Sequence, residues 1–576
     1  MAFSGKKIML TMGFHHKWVA LMMECVRIVS YSVLINGEPK GYFHPSRGLR
    51  QGDPISPYLF LLCAEGLHAL LIRATVSHQL QGLSISRSGP KLTHLFFADD
   101  CVLFCRATLM ECNIIMEILR RYERASGQQI NQDKTTLFFS ASTTPTTQDE
   151  IKHALQLPAI QHYETYLGLP SMVGRSKYAS FSQLKERMWR KVQGWKEKLL
   201  TQAGKEILIK AVIQAIPTYT MHCFKLPKKL CSELEGVIQS FWWGHTATTK
   251  KVHWLKWSSL CRPKSLGGMG FRELMKFNEA LLAKQVWRFL HNKESLVYKV
   301  FKAKIFPYGT IMDARHSAHA SYAWKSILNA RHVITKGTRW RIGNGSTTKI
   351  WLDKWLPPSS SGKPLTPPCG LPSDACVSSL ILDTTGTWDT SLINQIFSPG
   401  DAQIIIGLVL SSRRGEDKLI WSRERCGKYS VRSAYRLLCD EMYANEPGCS
   451  DVGVWKLFWK RVWSVRVPHK VRQFLWRACT ESLPTMANMK RRCIAPSASC
   501  PFCHLEDEDV RHVLWSCPIL SSVWAYHGLA SKLLQRRLTS FLEVLSALFQ
   551  LGTTESIAEI VFMFWLLWNR RNHLLY

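Results

Sequence analysis

Leu95-Phe96-Phe97-Ala98-Asp99-Asp100-Cys101-Val102-Leu103-Phe104 is two apolar runs with a pair of adjacent acids between them. Runs of this length, rich in Phe, Leu and Val and broken by a turn-forming pair, predict a tight β-hairpin with the acids at its tip. Two carboxylates so close repel each other unless a cation, a proton or solvent compensates. Two readings follow. One is a solvated Asp-Asp turn. The other is half of a two-metal site, in which Asp99 and Asp100 hold divalent ions for phosphoryl transfer. The flanking sequence decides between them.

Upstream, Arg47-Gly48-Leu49-Arg50-Gln51-Gly52-Asp53-Pro54-Ile55-Ser56-Pro57 is a basic loop punctuated by Gly and Pro. It leads into an apolar run over 58–72 that predicts a long amphipathic helix, with Pro57 at its start and Ser56 as its cap. Before the loop, apolar spacing predicts a helix over 18–29, and Asn36-Gly37 predicts a hairpin turn between β-prone residues 31–35 and 41–43. Downstream come a helix over 110–125, the polar stretch Ser126 to Lys134, a strand over 136–140 and the short apolar turn Tyr166-Leu167-Gly168-Leu169-Pro170. Residues 180–225 read as helical and basic, with Arg187, Arg190, Lys191, Lys196, Lys198, Lys205 and Lys210. These charges are either a solvated face or, with Trp189 and Trp195 between them, a nucleic-acid surface. Another amphipathic helix is predicted over 271–290. Gly343-Asn344-Gly345 reads as a hairpin turn between Trp-bearing strands within 340–355. The Pro- and Ser-rich residues 356–372 read as a linker, with a second globular unit from about 401.

Lys plus Arg number 75 against 42 Asp plus Glu, and the net charge of +33 is spread along the chain. A distributed positive field of this size favours polyanions, nucleic acid above all. Of the 18 Cys, most stand singly among apolar residues, as reduced core cysteines do. No secretory signal precedes them and no apolar run reaches membrane-spanning length, so an intracellular protein of the nucleus or cytoplasm, without a membrane partner, is expected. In a reducing compartment clustered Cys are metal ligands more often than disulfides. Cys500-Pro501-Phe502-Cys503, then His512 and Cys517, has the spacing of a four-coordinate structural zinc site. A haem attachment signal, Cys-x-x-Cys-His504, and a redox Cys-x-x-Cys are the competing readings. His504 is the alternative nitrogen ligand and Cys493 a spare thiol.

The order Arg47 to Pro57, Phe97-Ala98-Asp99-Asp100, then Gly127, Asn131 and Lys134, then Tyr166 to Pro170 resembles a reverse transcriptase palm and the start of its thumb. The chain as a whole, with Gly267-Gly268-Met269-Gly270-Phe271 and the Trp340 to Trp355 segment, resembles the reverse transcriptases of non-long-terminal-repeat (LINE-type) retrotransposons of the plant kind. The residues around Tyr429 to Tyr435, Trp455 to Trp476 and the Cys/His set resemble the zinc-binding domain that follows the enzyme in such elements. There Arg461, Arg466, Lys470, Arg472 and Arg477 lie among Trp residues, which suits a nucleic-acid surface. The resemblance implies an α+β chain. It runs as a partial palm (1–175) of antiparallel sheet plus helices, a helical thumb-like region (176–295) and a Trp-containing connector (296–400). A mainly helical zinc-binding domain (401–525) and a C-terminal helical segment (526–576) follow.

It also implies roles. Asp99 and Asp100 would bind magnesium or manganese for nucleotide addition, with Asp99 the more stringently required. Arg50, Gln51 and Gly52 would lie against template and incoming nucleotide, the glycine permitting close backbone approach. Lys134 would assist the leaving pyrophosphate, and Cys500, Cys503, His512 and Cys517 would hold zinc. Partners would be an RNA template, a DNA primer or target, and deoxynucleoside triphosphates. The family's first catalytic Asp, in a motif resembling Lys-Ala-Tyr-Asp, would fall before Met1, as would the fingers. Weak or absent polymerisation is therefore expected. The alternatives are a nucleic-acid-binding remnant and a decayed reading frame.

Overall fold

The computed structural model describes residues 2–45, 49–160, 165–196, 200–245, 251–315, 320–357, 361–411, 413–444 and 452–575. Arg47, Gly48 and Lys198 lie outside them. Contacts divide the chain into two units, Met1–Met172 with Phe289–Arg315, and Val173–Arg288 with His316–Tyr576. Helices predominate, and the strands among the described residues pair as two-stranded antiparallel sheets, so the fold is α+β.

In the first unit, α1 (Ala2–Thr11) and α2 (His16–Arg27) bring Met9, Val19 and Met23 against Leu59 of α3 (Ser56–Val76). Between them β1 (Tyr31–Ile35) and β2 (Glu38–Phe43) turn at Asn36 and Gly37, whose φ angles of 53° and 85° are those a type I′ turn demands. The buried residues of α3, Leu59, Cys63, Leu67, Leu71 and Ala74, recur every three or four positions and form one stripe. Ser56 begins this helix but does not cap it. Its hydroxyl donates back to the Arg50 carbonyl at 2.8 Å, while Asp53 Oδ1 accepts the Ile55 N–H at 2.9 Å. Against expectation, α3 is long and apolar enough to cross a membrane. Glu65, His68 and Arg73 interrupt the run when it is read residue by residue, but not its average. Here the buried stripe of α3 forms part of the core of this unit.

After the short pair β3 (Leu83–Ser84) and β4 (Lys91–Leu92), β5 (His94–Phe97) and β6 (Asp100–Leu103) form the expected hairpin, from His94↔Leu103 to Phe97↔Asp100. α4 (Leu109–Ser126) follows, with Thr108 Oγ1 accepting the Glu111 N–H. Phe96 and Leu103 on the inner face pack with Leu67 and Leu71 of α3 and Ile115 of α4. Burial at roughly 25 cal/mol per Å² is what seats the hairpin on the two helices. The strand expected over 136–140 is reduced to one bridge, Leu137↔Ala159. Leu137 bonds Pro158 and Ile160 with its own N–H and C=O, and Pro158 has no N–H with which to extend the ladder.

In the second unit, helix Gln183–Lys196 turns Leu184, Met188 and Val192 inward, and helix Lys228–Trp243 buries Leu230, Leu234, Ile238 and Trp242. Gly267 is a joint in this unit. A Cβ there would stand 2.6 Å from the Trp459 ring, and its φ is 84°. Its carbonyl accepts Trp476 Nε1–H at 2.9 Å, and the carbonyl of Lys264 accepts Trp463 Nε1–H at 3.2 Å.

The hairpin expected at Gly343-Asn344-Gly345 does not form. Strand Thr338–Arg341 pairs instead with Lys418–Trp421. Asp417, next to the second strand, gathers the loop. Its carboxylate accepts the N–H groups of Gly343, Gly345, Thr347 and Thr348 and the hydroxyls of Thr347 and Thr348 at 2.8–3.2 Å. The linker expected over 356–372 is anchored at both ends. Leu356 is buried in a core with Ile350, Trp355, Val377, Leu380 and Ile393, and Leu371 packs against it.

Candidate functional site

At the tip of the β5–β6 hairpin Ala98 takes a positive φ of 50°. A residue with a Cβ gives up about 1–2 kcal/mol to do so. Phe97 and Asp100 face each other on the side of the hairpin opposite Phe96 and Cys101, because side chains alternate along a strand. Asp99 and Asp100 are exposed, and neither carboxylate has a hydrogen-bond or ion-pair partner among the described residues. Nor do the described residues group a third His, Cys, Asp or Glu with them in a metal-binding cluster. The pair can offer oxygen ligands to a hard cation, and in this form it offers two carboxylates.

Behind the tip lies a contact that sequence reasoning missed. His68 Nδ1 of α3 is 2.7 Å from His94 Nε2 of β5, and His94 Nδ1 is 2.8 Å from Thr93 Oγ1. Burial, then the neighbouring His68, holds His94 below the ordinary imidazole range, and its two ring nitrogens tie the strand to α3 and to Thr93. Nothing in the local spacing of two residues 26 apart signals this.

Arg50, Gln51 and Gly52 lie exposed in the turn before α3. Gly52 has φ 84° and no atom within 4 Å of where its Cβ would be, so here the glycine serves the turn and not a close approach. Lys134 ends the short 3₁₀ turn Gln132–Lys134, its N–H donating to Asn131 Oδ1 at 3.1 Å and its ammonium exposed. No hydrogen bond or ion pair among the described residues joins it to Asp99 or Asp100.

The Cys/His set converges. The ligand atoms of Cys500, Cys503, His512 and Cys517 all lie within 4.8 Å of one another, and all but Cys503 are buried. A tetrahedral zinc with bonds of about 2.0–2.3 Å would separate its ligand atoms by about 3.3–3.8 Å, so the donor set and its spacing fit that ion. The hairpin-like segment 498–508 holds the knuckle. Cys500 N–H donates to Glu506 O at 2.9 Å, Glu508 N–H to Ala498 O at 2.8 Å and His504 N–H to Cys500 O at 3.0 Å. His512 opens a π-helical turn, His512–Ser516. Its Nε2 is 3.2 Å from Cys503 Sγ and its Nδ1 is 3.1 Å from Glu506 Oε2. Burial works to raise the Cys503 thiol, but the N–H groups of Leu505 and Glu506, with Cys500 and His512, outweigh it and bring it to about 6. Burial raises Cys500, and Cys517 to about 12. His504 and Cys493 are exposed and outside the cluster.

The basic residues divide. Arg187, Arg190 and Lys191 are exposed around Trp189, which is itself 52% exposed. Trp195 instead packs against Phe241, ring centroids 5.9 Å apart and the planes tilted by 47°. Lys210 shares the buried Glu206 with Lys264, both at 2.7 Å. Arg472 and Arg477 turn inward to the carbonyls of Trp463 and Ser482, and burial lowers Arg477 to about 10. Arg461 and Lys470 are exposed but engaged, Arg461 with the Phe549 carbonyl at 3.0 Å and Lys470 over the Trp565 ring at 4.6 Å.

The acid-tipped hairpin on two helices and the Cys₃His knuckle fall in the two segments that match the reverse transcriptase family and its zinc-binding domain, and the chain belongs to that family. Residues 6–170 match the family described as reverse transcriptase (RNA-dependent DNA polymerase), and 429–524 match zinc-binding in reverse transcriptase. It is similar to a putative ribonuclease H protein of Arabidopsis thaliana, 32% identical over 62% of this chain and 57% of that one. The chain thus spans little more than half the length of that relative. An uncharacterized mitochondrial protein of the same plant is 40% identical over 25% of this chain and 93% of its own length. The transposon TX1 uncharacterized 149 kDa protein of Xenopus laevis is 22% identical over 42% of this chain and 18% of its own.

Proposed function

We propose that the chain is an RNA-directed DNA polymerase of a LINE-type retrotransposon, acting inside the cell on an RNA template and a DNA primer or target. The observation that carries this reading is the partnerless Asp99–Asp100 pair, on a hairpin docked to α3 and α4 within the segment that matches reverse transcriptases. Asp99 and Asp100 present oxygen ligands on an exposed tip. Magnesium or manganese, when bound there, lowers the pKa of the primer hydroxyl and neutralises phosphoryl charge. The exposed guanidinium of Arg50 binds phosphate, and Gln51 and Gly52 shape the turn that meets template and nucleotide. Lys134 supplies a cation for the departing pyrophosphate. Cys500, Cys503, His512 and Cys517 hold a structural zinc. Because the described residues bring no third carboxylate to the pair, nucleotide addition on this reading is impaired but measurable, and its complete absence belongs to the second reading below.

A second reading, nucleic-acid binding without polymerisation, is favoured by the exposed Arg187, Trp189, Arg190 and Lys191. Primer extension with the full chain, template RNA, deoxynucleoside triphosphates and magnesium tests both. Weak incorporation that vanishes in Asp99→Ala supports the enzyme. Salt-sensitive RNA binding with no incorporation supports the binding protein. Incorporation that survives Asp99→Ala removes the proposed site.

A further inference from the structure

Glu506 and Glu508 stand two residues apart on the returning side of the 498–508 segment and do different things. Glu506 touches the metal-binding histidine. A carboxylate only accepts hydrogen bonds, so His512 Nδ1 carries the hydrogen it donates at 3.1 Å, and the Nε2 lone pair is left facing Cys503. His512 is fully buried, so without Glu506 that N–H would have to find another acceptor or the ring another orientation. Glu508 turns the other way. It is fully buried and takes Arg571 of the C-terminal helix Thr554–Leu575 on both oxygens, Nε on Oε1 at 3.0 Å and Nη2 on Oε2. Oε2 also accepts the Met486 N–H at 2.8 Å, so the buried charge is paired and bonded. The same helix meets the π-helical turn through Phe564, whose ring lies 6.5 Å from that of Trp515 and 5.3 Å from that of Trp524.

We propose that Glu506 is a positioning residue for zinc, fixing the His512 tautomer, and that Glu508–Arg571 links occupancy of the Cys₃His site to docking of the C-terminal helix. This rests on the zinc reading above. A metal that closes the knuckle also fixes the 498–508 segment and the His512–Ser516 turn, the two surfaces that Arg571 and Phe564 use. Linkage is reciprocal, so the factor by which zinc favours helix docking is the factor by which docking strengthens zinc, and undocking the helix weakens zinc by up to that factor.

The test uses the full chain, with zinc affinity read by competition with a chromophoric chelator and helix docking by hydrogen exchange. Glu506→Ala should weaken zinc roughly 10–100-fold, the size seen for outer-shell partners. Glu506→Gln, which keeps an oxygen to accept from Nδ1, should stay within about threefold of the parent. Glu506 is 59% exposed at its side chain, so neither change threatens folding. Chelation should raise exchange in the C-terminal helix, and Glu508→Gln should both raise that exchange and weaken zinc. Parent-like affinity in Glu506→Ala overturns the positioning role, and helix exchange indifferent to chelation overturns the linkage. A parent chain that binds no zinc overturns the zinc reading itself, and this proposal with it.

Discussion

The indole of Trp459 rests on the α-carbon of Gly267, with ring atoms 2.6 Å from where any side chain would begin. Both the contact and the φ of 84° exclude other residues. Gly267→Ala is expected to destabilise this unit by about 2–4 kcal/mol through overpacking and backbone strain. Chemical denaturation followed by Trp fluorescence measures it, and a loss under about 1 kcal/mol would show that the joint can open at little cost.

Asp417 organises its loop through six donors, and these decide its titration. Burial works to raise it, but the Gly343 N–H, the Thr348 hydroxyl and the Gly345 and Thr347 N–H groups outweigh burial and hold it below the ordinary carboxylate range. A depressed folded value means that the stabilisation is complete above the unfolded pKa of about 3.9 and is lost as pH falls through the folded value. Asp417→Asn should cost about 2–3 kcal/mol at neutral pH, since its amide would face the donors of Thr347 and Thr348. It should also flatten the acid limb of stability. An unchanged pH profile would contradict this account.

Asp99→Ala should alter stability by less than about 0.5 kcal/mol, because an exposed, partnerless carboxylate contributes little to the fold. Ala98→Gly should stabilise the hairpin by up to about 1 kcal/mol, by relieving the left-handed Cβ. Differential scanning calorimetry of the two variants is the comparison. A large loss in Asp99→Ala would mean that the residue is structural.

His504→Ala and Cys493→Ser should each retain one zinc in native mass spectrometry, whereas Cys517→Ser should lose it. Retention in Cys517→Ser, or loss in His504→Ala, would exchange the nitrogen or sulfur ligand assigned here.

Trp189 and Trp195 share a helix and differ in use. Trp189→Ala should leave stability unchanged and weaken single-stranded RNA binding several-fold, as a lost stacking platform does. Trp195→Ala should cost about 2 kcal/mol through its contact with Phe241. Equal effects of the two on RNA binding would remove the distinction.

Local chemistry explains what the sequence made legible. Asn36-Gly37 and the apolar runs around Asp99-Asp100 announce their hairpins because turn type and strand pairing are settled within ten residues. The Cys and His ligands announce themselves by spacing. Glu506 is hidden in an acidic run, Glu506-Asp507-Glu508-Asp509, where each acid looks alike in the sequence although Glu506 and Asp509 meet His512 and Glu508 meets Arg571. The failed hairpin at Gly343-Asn344-Gly345 has the same cause at longer range. The partner strand and Asp417 arrive some seventy residues later. Basic residues were the least legible, because a guanidinium capping a carbonyl, as in Arg472 and Arg477, has the same composition as one awaiting phosphate.

Gly267 and Trp476 are 209 residues apart. At about 5–20 residues per second, a ribosome needs roughly 10–40 s to deliver the second after the first. Throughout that interval the helices around Gly267 exist without the indoles that close over them. Their folding is therefore completed only once Trp476 has been made, and a message cut between the two positions yields a chain whose apolar joint stays open.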